Sequence, residues 1–79
     1  MHEECAVTYY NIGNIHYDKG DYEKALNYYD KSLKINIQHY GEMHVQCADT
    51  YNNIGIIHKN KGDNEKALIY YEKSLEIKI

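Results

Sequence analysis

The sequence predicts an all-α fold, an α-solenoid of two stacked antiparallel helical hairpins. Three observations predict it. The fifteen residues Lys19–Leu33, KGDYEKALNYYDKSL, return 42 positions later as KGDNEKALIYYEKSL at Lys61–Leu75. Apolar side chains on either side of each Lys-Gly-Asp step by three and four, the period of a helix face. The Gly-Asp pair between those faces has the chemistry that stops one helix and starts another. A unit written twice at this period marks a part that stacks on copies of itself.

The repeat covers nearly the whole chain. Met1 to Ile37 align with Met43 to Ile79, and twenty-five of the 37 positions are identical, including Cys5 with Cys47. Only Gln38 to Glu42 have no second copy, so the units are 1–42, a repeat with its linker, and 43–79. The chain begins in phase with its repeat and stops before another linker, as a piece of a longer array is expected to do.

The elements follow in order. From Thr8 to Tyr17, Tyr9, Ile12 and His16 share a helical face. Gly20 is suited to the left-handed conformation that ends that helix. Asp21 is suited to capping the next one, with Glu23 near the positive end of its dipole. The second helix carries Ala25, Leu26, Tyr29, Ser32, Leu33 and Ile37 on one face. Lys61-Gly62-Asp63 and Glu65 repeat the turn in the second unit. Four helices of about 16 residues, each roughly 24 Å long, result.

Composition limits the function classes. The 79 residues carry nine lysines, no arginine and twelve carboxylates, a net charge of −3. A nucleic-acid binder would show a basic face, so none is expected as a partner. No apolar run approaches the roughly 20 residues that span a bilayer, so no membrane association is expected, and no signal-peptide pattern is seen in the sequence. The two cysteines are too far apart in sequence for a CxxC pair and read as small buried groups in a reducing, cytoplasmic setting.

These residues resemble the tetratricopeptide repeat. The family pattern of a bulky, a large apolar and a small residue in the first helix is met by Tyr9, Ile12 and Gly13, followed by His16 where tyrosine is usual. Gly20-Asp21-Tyr22 occupies the turn, and Ala25, Tyr29 and Ser32 the second helix. The other copy offers Tyr51, Ile54, Gly55, His58, Gly62-Asp63-Asn64, Ala67, Tyr71 and Ser74. The 42-residue period and the stretch Tyr40 to Ala48 are similar to the variant found in kinesin light chains, with Val45 where that family usually has proline and Ile37 and Ile79 where the ordinary unit has one.

No catalytic residues, metal ligands or cofactor are expected. Phosphate loops, HExxH and Ser/His/Asp arrangements are missing from the sequence. His16 and His58 lie in the apolar stripe and read as core histidines. His44 and its copy His2 match the linker histidine of the kinesin-light-chain variant, which implies a capping or linker-packing role. Glu23, Lys24, Asp30, Lys31 and Lys34 read as a solvated face.

The mismatches between copies are more informative. In the first helices they fall at Glu3/Val45, Glu4/Gln46, Val7/Asp49, Tyr10/Asn52, Asn14/Ile56, Tyr17/Lys59 and Asp18/Asn60. Positions 3, 7, 10, 14 and 17 share one helical face. A face that packs neighbours must repeat because its task repeats; a face that varies is released from that task. The resemblance implies that this face lines a concave groove for peptide or protein segments, with Val7, Tyr10, Asn14, Tyr17, Asp49, Asn52, Ile56 and Lys59 as candidate contacts. It also implies that the repeated Asn11 and Asn53 offer amides to a peptide backbone. Only Lys59 is basic there, so a clamp for a carboxylate is not expected.

The expected function is therefore a protein-interaction scaffold binding a protein or peptide ligand. The alternative is a structural array whose main partner is its own copies. For that role the candidates are Tyr9 and Ile12 at one end and Leu68, Tyr71, Leu75 and Ile79 at the other. The homo-oligomer would form head-to-tail or by exchange of hairpins about Gly41.

Overall fold

A computed structural model describes residues 3–78, together with every side chain in that range except those of Glu3 and Glu4. The pairings of Met1 with Met43 and His2 with His44, the side chain of Glu3 on the varied face, and the role expected for Ile79 lie outside the described residues. Four helices run in order: α1 (Glu3–Asp18), α2 (Tyr22–Tyr40), α3 (Val45–Asn60) and α4 (Asn64–Lys78). There is no strand among the described residues. The molecule measures 33 × 28 × 13 Å between Cα extremes. Its thin dimension leaves room for two layers of helices packed 8–10 Å apart, the spacing roughly typical of such pairs.

The turns close as their residues dictate. Gly20 has φ 79° and Gly62 φ 85°. The Asp21 amide donates back to His16 O at 2.9 Å and the Gly20 amide to Tyr17 O at 3.0 Å, which satisfies the last carbonyls of α1. The Asp21 carboxylate then accepts from Lys24 N at 3.4 Å, and Asp63 from Lys66 N at 3.2 Å. At Val45 no proline is required: His44 caps α3, its Nδ1 accepting from Gln46 N at 3.2 Å while its ring stacks on Tyr40 at 4.2 Å.

Each hairpin is held by the same few contacts. Gly13 lets α1 approach the Tyr29 ring, and Gly55 lets α3 approach Tyr71. The buried Ser32 hydroxyl donates to Ala6 O at 2.8 Å, and Ser74 to Ala48 O at 3.0 Å. Those two serines sit in an apolar register because each satisfies its own hydroxyl. His16 stacks on Tyr28 and His58 on Tyr70, both at 5.5 Å, so both histidines are packing residues. Between hairpins, Ala25, Tyr29 and Leu33 of α2 meet Cys47, Tyr51, Ile54 and Ile57 of α3, with Leu26 at the margin.

Two expectations need correction. The sequence predicts Ile37 on the packing face, yet it is 36% exposed, while Ile35 and Asn36 are buried. Steps of four residues advance about 40° each around a helix, so by Ile37 the row has turned about 120° from Ala25. Asn36, eleven residues on, lies only about 20° from Ala25 and takes the central place. Cys5 was expected to be buried like Cys47. Cys47 is enclosed between α2 and α3, but Cys5 is half-buried because no described helix packs on that side of α1.

Candidate interaction cleft

The side chains that vary between the copies do not form one continuous strip. Five of them, Val7, Tyr10, Asn36, Gln46 and Asp49, gather with the unvaried Asn11 in a cleft of about 240 Å³ between α1, the end of α2 and the start of α3. Val7, Tyr10 and Asn11 form its α1 wall and Asp49 stands on the α3 wall, with Gln46 and Thr50 beside it. Ala6, Ser32 and Asn36 line the rest. Antiparallel pairing within the first hairpin brings the end of α2 beside the start of α1, as the Ser32–Ala6 bond records. That pairing places Asn36 at the cleft.

Behind the cleft lies a polar network. Tyr29 donates its hydroxyl to Asn14 Oδ1. Asn53 Nδ2 donates to the Tyr10 hydroxyl at 3.1 Å and to Asn14 Oδ1 at 3.2 Å. Burial pushes the Tyr29 phenol up to about 12, against the opposing hydrogen bond from Asn53, so it keeps its proton and remains a donor. Tyr10 packs its ring against Tyr29 at 5.7 Å. Asn14 and Asn53 thus join the two hairpins. Asn11, the repeated counterpart of Asn53, is exposed at the cleft, because no described helix stands beside α1 as α1 stands beside α3.

The remaining candidates lie elsewhere. Tyr17 packs on Tyr22 at 5.9 Å near the Lys-Gly-Asp turn. Its phenol is raised by burial and by the neighbouring Tyr22, Tyr71 and Asp18. Asn52 and Ile56 are half-buried and Lys59 is exposed, and none of the three lines the cleft. Asp49 meets Lys78 Nζ at 3.6 Å, an ion pair with both partners more than half exposed.

Of the residues expected to mediate self-association, Tyr9 and Ile12 are half-buried on α1, and Leu68 and Leu75 are exposed on α4. Tyr71 differs from these. Its ring is taken up by Gly55 inside the second hairpin, leaving it half-buried.

Sequence reasoning missed Asn36. The varied face of the first helices does not include it; its signal lies in the second helices, where Asn36 in one copy stands against Lys78 in the other.

Chemically the cleft offers amide and hydroxyl groups that both donate and accept, one carboxylate and apolar surface rather than reactive groups. Thr50 donates its hydroxyl to Gln46 O at 3.1 Å, a helix-internal bond. Among the described residues no three His, Cys, Asp or Glu side chains gather as a metal site, and no helix is long and apolar enough to cross a membrane.

A family model described as tetratricopeptide repeat matches residues 4–79. No curated protein and no solved structure matches the chain.

Proposed function

The chain belongs to the tetratricopeptide repeat family, whose members generally mediate protein–protein interactions, and on that premise we propose that it is a non-enzymatic interaction module that takes a peptide or protein segment along the cleft between α1 and α3. The observation that carries this reading is the convergence of Val7, Tyr10, Asn11 and Asp49 on one concavity. These residues differ between copies or, like Asn11, differ in surroundings. Aromatic, amide and aliphatic groups together suit recognition of an extended segment. The test is fluorescence anisotropy with a labelled peptide pool. Tyr10→Ala should weaken the best binder by more than about 1 kcal/mol, as central interface residues often do. Lys31→Ala on the outer face should leave it unchanged. The reverse pattern would overturn the reading.

A second reading has its own support. Ile57 is fully buried against α2, while Ile15, at the same register of α1, is 59% exposed. Leu33 is 7% exposed and its counterpart Leu75 is 58% exposed. The open faces of α1 and α4 are therefore the two halves of the α2–α3 interface, held apart on opposite ends. We propose that they accept a second copy head-to-tail, with exchange of hairpins as the competing route. Light scattering over a wide concentration range tests this. Mass should rise with concentration in the native chain, and Ile15→Asp or Leu75→Asp should each abolish the rise. Constant monomer mass would overturn it. A reducing, cytoplasmic setting belongs to the same proposal, supported by the enclosed Cys47 thiol, which is directed at Gly41 O at 4.0 Å.

A further inference from the structure

Asn36 is 2% exposed, and its Oδ1 has no hydrogen-bond partner. A buried acceptor left empty is costly, and a native chain keeps such an atom where something else meets it. Asn36 is among the residues that line the cleft, so a bound group that reaches its Oδ1 would have to bring a hydrogen-bond donor. Charge narrows the donor further. Asp49 is the one charged side chain among those lining the cleft, and its pairing with Lys78 at 3.6 Å is solvent-exposed and readily displaced. Ala6 and Val7 supply apolar wall along which a methylene stem can lie.

We propose that the cleft selects a cationic side chain of the bound segment, a lysine ammonium or an arginine guanidinium, with Asn36 Oδ1 as the buried acceptor and the Asp49 carboxylate at the mouth. The second repeat models the arrangement internally. At the register of Asn36 it carries Lys78, and at the register of Val7 it carries Asp49, and these two pair with each other. In the first repeat Asn36 replaces the lysine and Val7 the carboxylate, so an outside cation would meet Asn36 Oδ1 and the Asp49 of the second repeat. An acidic side chain would face Asn36 Oδ1 and Asp49 together, and an apolar one would leave Oδ1 empty.

This inference rests on the cleft being the segment-binding site, and the test separates the two. Anisotropy is measured on the intact chain with labelled peptides of one neutral host sequence carrying lysine, arginine, norleucine or glutamate at the centre. The lysine and arginine peptides should bind at least about tenfold more tightly than norleucine, with glutamate weakest. Asn36→Leu should bring lysine down to the norleucine level while the melting temperature holds or rises, because an unsatisfied acceptor has been removed. Asn36→Lys should reverse the order between lysine and glutamate. Norleucine or glutamate binding as well as lysine, with Tyr10→Ala still weakening it, overturns the cation and leaves the cleft. Binding of no peptide overturns both. A clear fall in melting temperature for Asn36→Leu assigns Asn36 a structural role and overturns the inference.

Discussion

The Tyr29 ring lies across Gly13: a Cβ at residue 13 would stand 2.8 Å from both Cδ1 and Cε1. Tyr71 crosses Gly55 at 2.8 and 2.9 Å, nearly the same spacing, but the rings are not equally free. Tyr29 is fully buried and bonded through its hydroxyl to Asn14, whereas Tyr71 is half-buried. Gly13→Ala should therefore lose about 1–3 kcal/mol to overpacking, set against about 1 kcal/mol of improved helix propensity. Gly55→Ala should be near neutral, because its ring has room to move. Denaturant unfolding of both variants decides; equal losses would contradict the difference in confinement.

Asn53 and Asn11 occupy one register but have different surroundings. Asn53→Ala removes donors from the Tyr10 hydroxyl and Asn14 Oδ1 and should destabilise the fold by about 1–2 kcal/mol. Asn11→Ala, at an exposed position, should stay within about 0.5 kcal/mol of the native chain. The same unfolding measurement checks the order, and any loss of ligand by Asn53→Ala must be read after that correction.

The two thiols should react at different rates. Cys47 is enclosed, and burial raises its thiol above the ordinary value, so little thiolate is present. Cys5 is half-buried. A thiol reagent in native buffer should label Cys5 first and Cys47 only on unfolding. Fast native labelling of Cys47 would show that α2 and α3 do not pack as described.

Acid should weaken the fold partly through His58. Burial holds its imidazole below the ordinary value of 6.5, Lys66 and Lys61 lower it further, and Asp63 and Glu23 oppose them. The unfolded chain therefore takes up this proton at higher pH than the folded chain does. Above about pH 6.5 the residue is neutral in both states and costs nothing; as pH falls below about 6.5 toward the folded value, stability is lost. Between pH 7.5 and 5.5, the native chain should lose more stability than His58→Gln. An equal loss would remove His58 from the account.

Much of the fold was legible because its causes are local. Gly20 and Gly62 needed positive φ, Asp21 and Asp63 needed only the amides three residues on, and Gly13 and Gly55 filled the small-residue place of the repeat pattern, where the structure has the helices cross. The candidate cleft was legible in part. Val7, Tyr10, Asn11 and Asp49 came together, while Tyr17, Asn52, Ile56 and Lys59 stayed apart from it. A shared helical face places side chains in a direction, not at a distance, and sixteen residues of α1 are long enough for its two ends to meet different neighbours.

By itself the sequence determined two like hairpins, their caps and turns, and the small residues at which their helices cross, since each follows from interactions within a few residues or from one repeated register. Only the tertiary structure decided which of two identical letters is buried: Ile57 but not Ile15, Leu33 but not Leu75, Cys47 but not Cys5. It also decided that Asn36, absent from the expected apolar row, lies buried among the residues that line the cleft, its Oδ1 without a hydrogen-bond partner. The reason is that burial belongs to the pair of surfaces. In a stacked repeat the inner faces of α2 and α3 cover each other, and the same residues on α1 and α4 have no described helix opposite them.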